Sequence, residues 1–222
     1  MRKANVRKPS RLWIALWLLW SITATAEFRP QAAGSEKTAT PPRTVYQVKP
    51  EDYQADVPAQ PPARMLSQTE TEIRWRVEWQ SEKTGRGVRL QLAAIRVYAT
   101  IQTGKSWNSA PNDPRLLMHG QGHLELSEIF AREFELRLRE AIHKGSPLTA
   151  SGSTLGEAES AMHRRLLEKL HEDRYLLEER HREYDKATDH GRSRTTLEQR
   201  QATHAERLKE LAEKLDPLPK AP

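Results

Sequence analysis

One run of the chain decides most of what it can become. From Asp113 to His143, Leu116, Leu117, Leu124, Leu126, Ile129, Phe130, Phe134, Leu136 and Leu138 supply the apolar face of a helix. Asp113 reads as its N-cap and Pro114 as its first helical residue. Near the start stand His119 and His123. Positions four apart lie on one helical face, about one turn apart, so the two imidazoles can share one metal ion. Gly120 and Gly122 lie in the same turn. Glycine disfavours helix by about 1 kcal/mol relative to alanine, so this turn needs tertiary packing or a bound metal to hold it.

Strands precede this helix. Ile73, Trp75, Val77 and Trp79 alternate with Glu72, Arg74, Arg76, Glu78 and Gln80, the period of a half-buried strand. The tryptophans are read as core rather than as a binding platform, because aromatics at strand spacing are more often buried. Thr84-Gly85-Arg86-Gly87 is a turn. Val88, Leu90 and Leu92 then alternate in one phase, and Ile95, Val97, Ala99 and Ile101 in the other. The shift at Ala93-Ala94 predicts a bulge or two separate strands. After the helix, Lys144 to Gly156 is a Gly/Ser break. A charged helix over Leu155 to Tyr184 carries Met162, Leu166, Leu170, Leu176 and Leu177 as its stripe. Asp185 to Ser193 is a second break, and a last helix runs from Thr195 to Leu215. The short turn between the late helices favours an antiparallel hairpin. The predicted class is α+β: a small antiparallel sheet (67–110), the histidine-bearing helix (113–143), a C-terminal helical hairpin (155–215) and a tail (216–222).

The first 26 residues read as an export signal. They carry a basic start, an apolar run from Leu12 to Ile22, and Ala24-Thr25-Ala26 as a cleavage site, with cleavage after Ala26. The apolar run is about half the roughly 20 residues that span a bilayer. An uncleaved anchor is the alternative, and the only route to a membrane. Either way the remainder is secreted, or periplasmic in a bacterium. The net charge of +6 misleads, because this leader holds five cations and no acid. Removing five from 36 leaves 31 cations against 30 acids. A nucleic-acid partner, which needs a basic face, loses its support. Residues 27–66, rich in Pro, Ala, Thr and Gln, read as a disordered spacer.

The chain has no cysteine, so any metal must be held by histidine and carboxylate. The histidine spacing is that of the zincin signature His-Glu-x-x-His, in which both histidines bind zinc and the glutamate is the general base. Gly120 stands at the glutamate position, so no catalytic residue is assigned. Leu116-Leu117-Met118-His119-Gly120-Gln121-Gly122-His123-Leu124-Glu125-Leu126-Ser127-Glu128-Ile129-Phe130-Ala131-Arg132 resembles a bacterial family of unknown function described as predicted secreted zinc-dependent proteases. Tyr184-Asp185-Lys186-Ala187-Thr188-Asp189-His190-Gly191 is similar to a second block of that family, and the resemblance spans roughly 69–215. It implies a zincin-like domain and a zinc cofactor. The departure at Gly120 bears on hydrolysis and leaves the fold untouched.

Catalytic zinc takes three protein ligands and an open position. His119 and His123 supply two. The first choice for the third is His190, in a Gly-bounded turn that could fold back over His119. Asp189 and Asp185 follow, and Glu128 is a local option. Glu125 should point away. His163, His171 and His181, and His190 if it holds no metal, read as solvated. A positioned general base contributes about 10²–10⁴-fold in rate, so its loss predicts weakened or absent peptidase activity. The substrate or partner, a peptide or protein, is not written in the sequence. The alternative function is a noncatalytic extracytoplasmic interaction module on the helical hairpin, its charge a solvated face.

Overall fold

The computed structural model describes residues 44–62 and 65–218; the expected export signal, the start of the spacer and the end of the tail lie outside the described residues. In chain order the elements are β1 (Ser67–Gln68), β2 (Thr71–Thr84), β3 (Gly87–Ile101), β4 (Trp107–Asn108), α1 (Pro114–His143), β5 (Thr149–Gly152), α2 (Leu155–Glu172), α3 (Arg174–Thr188) and α4 (Arg194–Leu215). The class is α+β, as the alternation of patterns predicts.

Helix α1 starts where its signals place it. The Asp113 carboxylate accepts from the Arg115 N–H at 2.9 Å, and Pro114 occupies the first turn. The helix is buried along most of its length, with the sheet and α3 on one flank and α4 on another. Ile73, Leu92, Ile95 and Val97 of the sheet meet Phe130, Phe134 and Leu138 of α1 and Leu166, Leu170 and Leu177 of α2 and α3. On the opposite flank Ile129 packs with Leu208 and Leu211 of α4.

β2 and β3 form an antiparallel hairpin with Thr84 opposite Gly87, and β5 joins the free side of β3. The phase change is a bulge: Glu78 faces Ala94 while Trp79 faces Leu92, so Ala93 is the extra residue. It lets Leu90, Leu92, Ile95 and Val97 all reach the core. Trp75 and Trp79 are only half-buried at its margin. β5 lies inside the expected Gly/Ser break. Its sequence, Thr-Ala-Ser-Gly, has no apolar alternation, and pairing with Val88 to Gln91 makes it a strand. Beyond β5 the edge of β3 is covered by carboxylates of α1. Glu135 accepts from the Val97 N–H at 3.0 Å and Glu128 from the Ala99 N–H at 2.9 Å.

Two further expectations need correction. The charged helix expected from Leu155 to Tyr184 breaks at Asp173, which ends α2 and begins α3. α3 and α4 remain the two arms of a hairpin, but α4 packs chiefly along α1. The spacer also ends sooner than expected. Val48 is buried, and the Val48 N–H donates to the Gln121 side chain at 2.8 Å. Residues 44–53 therefore form a strap over the first turns of α1. Hydrogen bonds to a helix side chain, packing of the half-buried Val45 and burial of Val48 offset the ordering entropy that the composition alone could not.

Candidate metal centre

The second turn of α1 and the last turn of α3 face each other, and three acceptor atoms converge between them. His123 Nε2 lies 3.2 Å from His119 Nε2 and 2.9 Å from Asp185 Oδ1, and His119 Nε2 lies 3.2 Å from the same oxygen. These residues could hold a metal ion. Four donors about 2.0 Å from a tetrahedral zinc stand about 3.3 Å apart. The triangle of 2.9, 3.2 and 3.2 Å is close to one face of that tetrahedron.

The outer nitrogens of both rings are engaged. Thr188 Oγ1 donates to the Tyr184 carbonyl at 2.8 Å, so at 3.3 Å it accepts from His119 Nδ1–H. That leaves His119 Nε2 a bare lone pair aimed into the triangle. His123 Nδ1 lies 2.8 Å from His181 Nδ1, and His181 Nε2 lies 3.2 Å from Ser127 Oγ. His119 is 3% and His123 8% exposed, whereas the Asp185 side chain reaches the surface at 27%. Burial, with His123 and His190 adding and Asp185 opposing, brings His119 down to about 4. Burial brings His181 down to about 3. Burial resists ionisation of Asp185, but the two histidines hold its carboxyl well below the usual range. At neutral pH the site therefore offers a neutral His119 imidazole and the Asp185 carboxylate. Lone pairs this close repel one another unless a proton or a cation lies among them.

The glycines of α1 explain how the histidines are walled in. At about 100° per residue, Gly120 and Gly122 sit on either side of the direction shared by His119 and His123. A Cβ at Gly122 would lie 2.0 Å from the Tyr184 hydroxyl. The Tyr184 ring stacks on His119 with centroids 5.2 Å apart and meets His123 edge-on at 5.0 Å. A Cβ at Gly120 would lie 2.0 Å from the Tyr53 hydroxyl and 2.6 Å from Thr69 Oγ1. Tyr53 and Thr69 are hydrogen-bonded to each other at 3.0 Å. The strap thus fills the space that a side chain at 120 would enter.

The sequence-predicted residues divide. His119 and His123 meet, and Asp185 completes the triangle. His190 is one step further out, with Nδ1 3.9 Å from Asp185 Oδ1. It lies in a left-handed turn formed by Asp189, His190 and Gly191. It shares an open depression at the edge of the centre with Arg182, Asp185, Lys186 and Asp189. Asp189 faces Arg192 at 3.8 Å. Glu128 is not at the site: besides Ala99 it pairs with Arg132 at 2.8 Å. Glu125 points away, as expected, to His204 at 3.1 Å. His181, expected to be solvated, is buried against His123. His163 is half-buried on Trp75, whereas His171 is exposed. Sequence reasoning gave no role to Tyr53, Gln121 or His181. The one signal for the strap was Val45, Tyr46, Val48 and Tyr53 gathered among prolines. No protein-family model, curated protein or solved structure matches this chain.

Proposed function

We propose that the chain is a secreted, zinc-dependent protease-like protein that binds zinc and has weakened or lost peptidase activity. The observation that carries the reading is the closed triangle of His119 Nε2, His123 Nε2 and Asp185 Oδ1. Two imidazoles and one carboxylate suit zinc among the common divalent ions. His190, with Nδ1 3.9 Å from Asp185 Oδ1, lies outside the converging group, which leaves the fourth position to water. Export rests on the leader sequence alone.

Zinc held there would act as a Lewis acid and acidify a coordinated water toward a pKa of about 7. The chain's own residues supply little beyond that. Gly120 has no carboxylate to move a proton. The Tyr53 hydroxyl beside it is raised above the ordinary phenol range, chiefly by burial, and stays protonated. It can donate a hydrogen bond but is a poor base.

The test is zinc affinity of the untagged protein by chelator competition. The expected result is one tight site, lost in His123→Ala and in Asp185→Ala. Equal uptake by the parent and both variants overturns the reading. The noncatalytic interaction module has one observation in its favour: Tyr175 and Leu176 are exposed beside the α2–α3 corner. Partner recovery that survives replacement of both His119 and His123 would favour it.

A further inference from the structure

His181 has no place in the donor triangle, yet it makes the closest contact to it from behind. Its Nδ1 lies 2.8 Å from His123 Nδ1, and its Nε2 lies 3.2 Å from Ser127 Oγ, which lies 2.7 Å from Thr71 Oγ1. All four side chains are buried. The line runs from the centre of α1 through α3 and back to the first residue of β2.

Two neutral imidazole nitrogens at hydrogen-bonding distance hold one proton between them, so one ring must donate and the other accept. Which does so is tied to the far side of His123. Thr188 already fixes His119 with a bare Nε2. Without a cation, the proton that relieves the triangle sits on His123 Nε2 and points at Asp185 Oδ1, 2.9 Å away. His123 Nδ1 is then bare and must accept from His181. With a cation in the triangle, His123 Nε2 must be bare. Its proton is then on Nδ1, and His181 must accept it.

We propose that His181 is a positioning residue that switches the tautomer of His123, so that the His123–His181–Ser127–Thr71 line reverses direction when the centre takes up a metal. This rests on the metal-site reading above. Each ring keeps one proton throughout. His123 exchanges its own from Nε2 to Nδ1 and His181 from Nδ1 to Nε2, through solvent exchange, while the hydroxyls of Ser127 and Thr71 rotate to match. A hydroxyl both donates and accepts, so the line can run either way without an unsatisfied buried atom. A carboxylate, the commoner partner of a metal-bound histidine, only accepts and would hold His123 in the loaded tautomer permanently.

Imidazole ¹⁵N spectra of the full chain during a zinc titration test this directly. Before zinc, His123 is expected to carry its proton on Nε2 and His181 on Nδ1; after one equivalent both assignments reverse. In parallel, His181→Phe, which cannot accept, is expected to weaken zinc binding about 10–100-fold, the range for lost outer partners of metal ligands. His181→Asn, whose amide oxygen can accept near the Nδ1 position, is expected to recover most of it. Zinc uptake with an unchanged His181 pattern overturns the switch alone. A chain that takes up no zinc overturns the metal site and the switch with it. If His181→Phe fails to fold, the parent spectra and the asparagine variant still decide.

Discussion

At Gly120 a single absent side chain and a single present one belong together. Tyr53 fills the space beside the histidines that a residue at 120 would enter. Supplying the missing carboxylate is therefore not enough. Gly120→Glu alone is expected to show no gain in peptide hydrolysis, and to lose stability by about 1–3 kcal/mol through overpacking. Gly120→Glu combined with Tyr53→Ala is expected to show hydrolysis above the parent level. Activity from the single variant, with Tyr53 intact, would contradict this account of the space. The buried histidines make a second prediction. His119 and His181 titrate in the folded chain near 4 and near 3, below the ordinary value of 6.5. The unfolded chain therefore binds more protons between those values, and folding stability rises with pH across that window. The metal-free protein should keep its full stability above about pH 6.5 and lose it as the pH falls toward 4. Thermal melts across that range check it, and a flat profile would mean the rings are not buried neutral.

Among the elements, the strap shows most clearly what a sequence hides. Its prolines and polar residues match a spacer, and only long-range bonds reveal it as part of the domain. Gln121 accepts from the Val48 N–H and donates to the Tyr46 carbonyl at 3.3 Å. No local pattern announces a partner more than 70 positions away in the chain. Gln121→Ala removes both bonds and leaves a buried N–H unpaired, a loss of about 1–3 kcal/mol. Limited proteolysis between residues 44 and 53 should then speed up, with α1 to α4 protected. Unchanged cleavage would show that apolar contacts alone hold the strap. Elements with strong periodicity were legible: α1 with its cap, β2 and β3, with the phase shift at Ala93-Ala94 left between a bulge and two strands. β5 was not, because four residues without apolar alternation become a strand only by pairing. The break at Asp173 was hidden because the apolar stripe continues through it, from Leu170 to Leu177.

For the whole molecule, α1 organises both stability and the centre. Its buried carboxylates tie it to the sheet, its arginines reach α4 and the chain after it, and its second turn meets α3. The centre thus spans elements that are distant in sequence, and a cation there would cross-link them. Zinc at 100 times its dissociation constant is expected to stabilise the fold by about 2.7 kcal/mol. The melting temperature should rise with free zinc in the parent and stay constant in Asp185→Ala. The histidine pair was legible because helical periodicity fixes how residues four apart relate. Asp185 was left among several alternatives because its choice depends on how α3 docks on α1. His181 went unread because nothing in its neighbourhood marks a histidine that faces inward. The most direct test is a crystal structure of zinc-soaked protein with anomalous data at the zinc edge. The predicted result is one peak about 2.0–2.2 Å from His119 Nε2, His123 Nε2 and Asp185 Oδ1. A peak elsewhere, or none in the triangle, would contradict it.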